Sequence, residues 1–211
     1  MQTAKVLEMI NSGRIEELKL ALQDEIFTES LKGKVNAKKR YAAMKKYINN
    51  TDSAREILRY PCPVEFEGTE YNAFCNAYSL AMTKEPIGEI KPCPDPDRYP
   101  NVTQLIKYDG DEHGIDLNEV LALAKSKGYK YKKSEIHNND YLLHYDGAYF
   151  RIGLIDITYG IISDGNEVVA YHSKGAARRP LVIQNDIGIC VIMPVYLDAD
   201  DDEKRVIIEV I

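Results

Sequence analysis

The sequence lacks the features that mark several classes of protein. Its 211 residues contain no run of 18 apolar side chains, which excludes a transmembrane helix. They also contain no Walker-type or dinucleotide-binding glycine loop, so we expect no nucleotide cofactor. The first eleven residues have no apolar segment of the kind found in secretory signals. We therefore expect a cytoplasmic protein with no membrane partner.

Cysteine is scarce, and its spacing matches no known metal motif. The four cysteines are Cys62, Cys75, Cys93 and Cys190, and no two of them have Cys-x-x-Cys spacing. This excludes a zinc ribbon or finger, and the sequence predicts no metal site. In a reducing compartment these residues are expected to be free thiols. A disulfide between Cys62 and Cys93 is the alternative.

The net charge of −6 conceals an uneven distribution along the chain. Residues 1–59 hold 12 Lys+Arg against 8 Asp+Glu, whereas residues 60–211 hold 15 against 25. Between Ser30 and Thr51 there are seven basic residues and no acidic one. The acidic total argues against a protein that coats nucleic acid indiscriminately, but it leaves room for a localised basic surface.

Apolar periodicity predicts helices in the first quarter of the chain. Apolar residues recur every three or four positions over residues 3–28, with a break at Asn11–Gly13, and we treat residues 1–30 as an N-terminal helical arm. A further helix is predicted from about Ala37 to Tyr47. On this helix, Lys38 and Lys45 share one flank of the apolar stripe, and Lys39 and Lys46 lie on the opposite side.

The remainder predicts an α+β fold in which a helix-plus-antiparallel-sheet unit occurs twice. Residues 31–95 form the first half, residues 96–114 a proline-rich extended connector, and residues 115–197 the second half. The Asp146–Gly147 pair predicts a hairpin, and a short apolar helix with three strands follows it. Residues 198–211 form an acidic linker and a C-terminal strand.

The segment from Tyr149 to Leu197 resembles the last half-domain of bacterial-type DNA polymerase sliding clamps. It shares the order of strand, short helix and three strands, and it ends in Met193-Pro194-Val195-Tyr196-Leu197, similar to the Met-Pro-hydrophobic-x-Leu signature of that family. Residues 97–102 look like the aromatic-proline linker of the same clamps, and residues 75–81 keep the Leu-Ala end of another clamp segment. The resemblance implies a DNA-clamp-like domain without catalytic activity.

In that family, basic helices face the phosphates of duplex DNA without reading its sequence. The resemblance therefore implies a role in replication or processivity and a set of DNA-facing residues. These are Lys38, Lys39, Arg40, Lys45, Lys46, Lys125 and Lys127. The alternative is a basic helix face that only contacts solvent.

Clamps also bind short peptide motifs of replication proteins in an apolar groove. The resemblance places this groove at Tyr78, Leu80, Met193, Pro194 and Val195. The alternative is that these residues belong to ordinary core strands. The chain has room for about one clamp domain, so encircling DNA would require a homo-oligomer joined through edge strands. We expect those edges at Val168–His172 and at the tail strand Val206–Ile211.

Two other functions remain open. The residues around Cys75 resemble the nucleophile segment of papain-like cysteine hydrolases, which need a histidine close to the thiol. A buried structural thiol is the competing interpretation. The other function is a clamp-derived adaptor that binds proteins but not DNA.

Overall fold

The computed structural model describes residues 3–49, 55–85, 93–106, 112–131, 139–173, 177–197 and 205–210. The helices there are α1 (Thr3–Asn11), α2 (Ile15–Ser30), α3 (Val35–Asn49), α4 (Leu117–Ser126) and α5 (Ile152–Ile162). The strands are β1 (Cys62–Phe66), β2 (Thr69–Cys75), β3 (Ser79–Thr83), β4 (Glu112–Ile115), β5 (Tyr141–Tyr145), β6 (Ala148–Arg151), β7 (Val169–Ser173), β8 (Leu181–Gln184), β9 (Gly188–Ile192) and β10 (Val206–Glu209). None of these helices is long and apolar enough to cross a bilayer.

Seven strands form one antiparallel sheet in the order β1-β2-β3-β9-β8-β7-β4. Strands β1, β2 and β3 pair in the order in which they follow along the chain, and so do β7, β8 and β9. The pairing of β3 with β9 joins the two groups. Pro63 lies in β1 at one edge of the sheet, where the missing backbone N–H breaks no ladder. The mixture of helices with an antiparallel sheet confirms the predicted α+β class.

The strand orders β1-β2-β3 and β7-β8-β9 mirror each other on either side of the pair β3 and β9. The register between β3 and β9 is symmetric about Ala81, which lies opposite Cys190. The turns before these two strands are also alike. The side-chain oxygen of Asn76 accepts two following backbone N–H groups at 3.1 and 2.8 Å, and that of Asn185 does the same at 2.9 and 3.2 Å. The unit of a helix and three strands therefore occurs as α3–β1–β2–β3 and again as α5–β7–β8–β9.

Helices α3 and α5 pack against each other over one face of the sheet. Gly160 allows this close approach, because a Cβ atom at that position would lie only 3.1 Å from the Cβ of Ala43. Tyr47 of α3 is fully buried, and its hydroxyl donates a 2.7 Å hydrogen bond to the carbonyl of Ser79. This bond fixes α3 on the turn between β2 and β3.

The connector covers the opposite face of the sheet. It was expected to be extended, but it contains two short 3₁₀ turns, Pro96–Arg98 and Val102–Leu105. Tyr99, Val102 and Ile106 are buried there in a second core with the sheet. The proline spacing gives no indication of this core, because burial of these apolar side chains depends on a sheet face formed by residues distant in sequence.

A second, three-stranded sheet has the order β10-β5-β6. The tail strand β10 pairs with β5 of its own chain, in parallel. The expectation that Val168–His172 forms a free edge was wrong, because β4 pairs with β7 in antiparallel register. Within the described residues, the edges of the large sheet are therefore β1 and β4. Because β10 pairs internally, that strand is not free to add to a neighbouring copy along its β5 side.

Candidate functional site

Helix α3 presents its basic residues on two sides. Lys39 lies toward α5, where it lines a groove with Lys125 of α4 and Asp156 of α5. Lys38 and Lys45 are two helical turns apart on the opposite flank, as the periodicity predicted. The structure therefore divides the predicted DNA-facing residues between two surfaces.

The flank that carries Lys45 faces the helical arm. Lys45 Nζ lies 2.7 Å from Asp24 Oδ2 of α2, and the hydroxyl of Tyr41 donates to the same carboxylate. Desolvation raises the pKa of Asp24, but the hydrogen bonds from Lys45 and Tyr41 and the charge of Lys45 lower it further, so the net shift is downward. Phe27 packs edge-on against Tyr41 with ring centroids 4.8 Å apart. Lys45 therefore helps to attach the arm to α3.

Two further basic residues hold carbonyl groups of the protein. Arg40 is half-buried, and its Nε donates to the carbonyl of Ile161 at 3.0 Å. Desolvation lowers its pKa, and the nearby charges of Asp164 and Glu85 partly oppose that shift. Lys127 Nζ donates to the carbonyl of Ile207 in β10 at 3.1 Å. Both side chains thus join secondary-structure elements as well as carrying charge.

The groove between the helices is the place where basic residues from separate elements meet. It has a volume of about 330 Å³, and Tyr159 and Gly160 form part of its floor. Lys46 of α3 instead lies with its Nζ 4.6 Å from the ring centroid of Tyr131. We call Lys39 and Lys125, which line the groove, the groove lysines. Asp156 is an acidic group on the same surface, and it accepts a hydrogen bond from Tyr129 at 3.2 Å.

The predicted peptide-groove residues surround the turn between β2 and β3. The carbonyl of Tyr78 accepts a 2.9 Å hydrogen bond from the N–H of Met193, and the Tyr78 ring is partly exposed under Arg151, 4.9 Å away. Met193 and Pro194 are half-buried, whereas Val195 is buried and bonded to Tyr149 through its backbone. Tyr78 and Met193 are therefore neighbours in the fold, and their place in a peptide groove stays a prediction.

Leu80 does not reach an open surface. Its side chain is fully buried in the second core, opposite Val191 of β9. Strand alternation places Leu80 and Ala81 on opposite faces of the sheet, but both faces are covered in this molecule. Leu80 therefore supports the turn from beneath and does not line a groove.

An apolar cleft that the sequence did not predict lies on the other side of this turn. It has a volume of about 400 Å³ and is walled by the end of β2 and the second 3₁₀ turn of the connector. The residues around it are Arg55, Leu58, Cys75, Ala77, Pro100, Asn101, Val102 and Leu105. We call this the connector cleft. The matches of residues 75–81 and 97–102 to clamp segments lie near it, but neither match predicted a cleft.

The turn itself is held in a strained conformation. Ala77 has φ of 70°, a left-handed conformation that is uncommon for a residue with a Cβ atom. Asn76 stabilises it, because its Oδ1 also accepts a hydrogen bond from the Ser79 hydroxyl at 2.9 Å. Through Ser79 and Tyr47 the turn is connected to α3. One network of hydrogen bonds thus positions both the basic helix and one rim of the connector cleft.

Cys75 has the environment of a structural thiol. Burial raises its pKa, although the Ala77 backbone N–H and the charge of Arg55 partly oppose that shift. Among the described side chains, His144 stacks on Tyr149 and His172 bonds to the carbonyl of Arg179, away from this thiol. His137 and the side chain of His113 lie outside the described residues. Among the described side chains no base lies beside this protonated thiol, so this part of the structure does not support the hydrolase interpretation.

Comparison with known proteins provides one structural match. No protein-family model and no curated protein matches the chain. Among solved structures, the crystal structure of the β subunit of DNA polymerase III from Thermotoga maritima aligns with a TM-score of 0.48 and 10% sequence identity. The alignment covers 76% of this chain and 64% of that protein, so the chain spans less than two thirds of its length. We assign neither a family nor a function from this similarity.

Proposed function

We propose that this chain is a clamp-like, non-catalytic binding protein that holds a short peptide segment of a partner in the connector cleft. The connector cleft itself carries this proposal. Its walls come from three chain segments, residues 55–58, 75–77 and 100–105, and its lining is mainly apolar, with Arg55 as the charged group. A site of this kind gains affinity by removing water from a few apolar side chains.

The chemistry of the connector cleft defines the peptide that would fit it. Leu58, Val102 and Leu105 favour one or two branched apolar side chains. Arg55 favours an acidic side chain or a terminal carboxylate next to them. Tyr78, Met193 and Pro194 lie on the far side of the same turn, so a longer peptide would continue across it. These three remain predicted contacts of the peptide, with Val195 beneath them.

Replacing Leu105 by glutamate should abolish this binding while preserving the fold. Leu105 is only partly buried, and a carboxylate there places a charge in an apolar cleft. We expect the affinity for a peptide selected from a heptapeptide display library on the wild-type chain to fall at least about tenfold. Fluorescence anisotropy with that peptide measures the loss.

Gln104→Glu provides the matched control, since Gln104 is exposed on the same 3₁₀ turn and does not line the cleft. Its affinity should stay within about twofold of the wild-type value. The proposal fails if no peptide is enriched, or if the selected peptide binds the Leu105→Glu protein as tightly as the wild type.

Contact with duplex DNA is a second candidate function, and the groove lysines favour it. Lys39 and Lys125 are far apart in sequence, yet they line the same groove on either side of α5. Two or three such charges on a layer of helices can contact phosphates irrespective of sequence. The negative charge of Asp156 in the same groove weakens its positive electrostatic potential. DNA binding through this surface would therefore be salt-sensitive and of low affinity.

The double variant Lys39→Ala/Lys125→Ala tests this surface. We expect binding to a 30-base-pair duplex at low salt to weaken about 5- to 30-fold, and the slope of log affinity against log salt to fall by about 1.8. The control is Lys19→Ala/Lys84→Ala, which removes the same charge from exposed residues elsewhere. Equal losses in both double variants would refute a specific groove and leave only a general charge effect.

Encircling a duplex would require several copies of the chain. We propose a homo-oligomer joined head to tail through the two edges, β1 and β4, because both leave one side of the ladder unpaired within the described residues. Light scattering with and without the duplex, in the same experiment, reports the mass. A monomer under both conditions would leave the peptide-binding adaptor as the remaining function.

A further inference from the structure

Two of the four cysteines lie next to each other in the second core. Cys62 begins β1, and Cys93 lies three residues before the connector. The N–H of Cys93 donates a 2.9 Å hydrogen bond to the carbonyl of Pro61, which places the two residues side by side. Their exposed fractions are only 2% and 8%. Both thiols are free in the structure.

We propose that Cys62 and Cys93 form a redox-active dithiol that a low-molecular-weight disulfide oxidises to an intramolecular disulfide. The thiolate of one cysteine attacks the sulfur–sulfur bond of oxidised glutathione, which gives a mixed disulfide and releases one glutathione thiolate. The second cysteine thiolate then attacks the mixed disulfide and releases the second glutathione. Two cysteine thiols lose two electrons and two protons, and one oxidised glutathione becomes two reduced molecules.

The other cysteines are poor partners for this reaction. Cys190 belongs to the core on the opposite face of the sheet, where its thiol donates to the carbonyl of Thr158. Cys75 shares the second core, but β1 and β2 pair Cys62 with Ala73. Cys75 is therefore a diagonal neighbour with a Cα separation of roughly 7–8 Å, too long for an unstrained disulfide. The structure favours one pairing.

The disulfide would restrain the connector. Cys93 precedes the residues that form one wall of the connector cleft, including Pro100, Val102 and Leu105. Joining Cys93 to β1 fixes the start of this wall to the edge of the sheet. The dithiol does not depend on the proposed peptide binding, since it stands on the position of the two thiols alone.

The reaction should be slow at neutral pH. Burial and the neighbouring Cys93 thiol, to which Cys62 is hydrogen-bonded, raise the pKa of Cys62. Only the thiolate is nucleophilic, so a raised pKa lowers the reactive fraction. Oxidation should accelerate between pH 7 and pH 9, in proportion to the thiolate that forms.

The test is oxidation of the full chain with oxidised glutathione at pH 8, followed by non-reducing peptide mapping. We expect the free thiols to fall from four to two, a peptide linked between Cys62 and Cys93, and a Tm increase of roughly 5–10 °C. Cys93→Ser should show neither the link nor the Tm increase, whereas Cys190→Ser should still form the link. Mapping of the wild-type chain decides the question even if Cys93→Ser does not fold.

Three results would overturn the proposal. They are four remaining free thiols after oxidation, glutathione adducts without an intramolecular link, and a link that involves Cys75 instead of Cys93. Loss of peptide binding in Leu105→Glu bears on the proposed function alone, so the two ideas fail separately.

Discussion

Replacing Gly188 by alanine is expected to lower the free energy of unfolding by at least about 3 kcal/mol. Gly188 begins β9 opposite Thr83, in the pair of strands that joins the two halves of the sheet. An added Cβ would clash with the carbonyl oxygen of Met82 and lie 3.3 Å from the side chain of Ile162. Neither the strand backbone nor the packed helix can move without disturbing the centre of the fold. Urea denaturation measures the change.

Gly114→Ala is the matched control for this substitution. Gly114 also lies in a strand, but the nearest atom to an added Cβ is the carbonyl oxygen of Ala170 at 3.9 Å, an ordinary contact. We expect it to change the free energy of unfolding by less than about 1 kcal/mol. If Gly188→Ala unfolds at the same urea concentration as the wild type, the register between β3 and β9 is not the one described.

Local signals predicted most of the elements of this fold. The turn at Asp146–Gly147 and the helical break at Gly13 were found at the expected places, because both depend on residues within a few positions. The same is true of the repeated helix-and-strands unit, whose hairpins pair strands that follow one another. The bounds predicted for the two halves, residues 31–95 and 115–197, stay a prediction, since the second helix-and-strands unit begins only at α5.

Pairings between distant segments were not predicted. Strand β4 has only four residues, and nothing in its sequence indicates that it completes the sheet beside β7. The parallel pairing of the tail with β5 is equally non-local. Strands that are buried on both faces are a second source of error. Their residues do not alternate between apolar and polar, so the sequence does not indicate which face, if any, is exposed. The resemblance assigned Leu80 to a groove, and no alternation along β3 indicated instead that its side chain is buried.

The candidate sites were predicted to different degrees. Helical periodicity placed the lysines of α3 on two flanks, and the structure agrees. It could not show that Asp24 would bind one flank or that Lys125 would meet Lys39 across α5, because both depend on tertiary packing. The connector cleft requires the 3₁₀ turn at Val102–Leu105 to fold back on the sheet. Its position relative to Cys75 is a property of the assembled fold.

Raising the pH from 8 to 10.5 should destabilise the protein strongly. Burial raises the pKa of the Cys190 thiol, so the folded protein keeps a proton that the unfolded chain loses above its ordinary value of 9.0. The unfolded state then binds fewer protons, and the free energy of unfolding falls as pH rises. Cys190 alone accounts for about 2 kcal/mol over this range, at about 1.4 kcal/mol per pH unit beyond pH 9. Burial also raises the pKa values of Cys75, Tyr47 and Tyr99, which add to the loss.

Urea denaturation at several pH values, with a reductant present, measures this dependence. Cys190→Ala and Cys190→Ser both remove the same ionisation but pack differently against Ala81 and Thr158. Their free energies of unfolding at pH 8 should therefore differ. Between pH 9 and 10.5, however, both variants should lose less free energy of unfolding than the wild type. In both, the slope against pH should be smaller than that of the wild type by the equivalent of about one proton. A slope in both variants equal to that of the wild type would mean that Cys190 ionises equally in the folded and unfolded states. The Cys190 thiol would then not be buried as the structure shows.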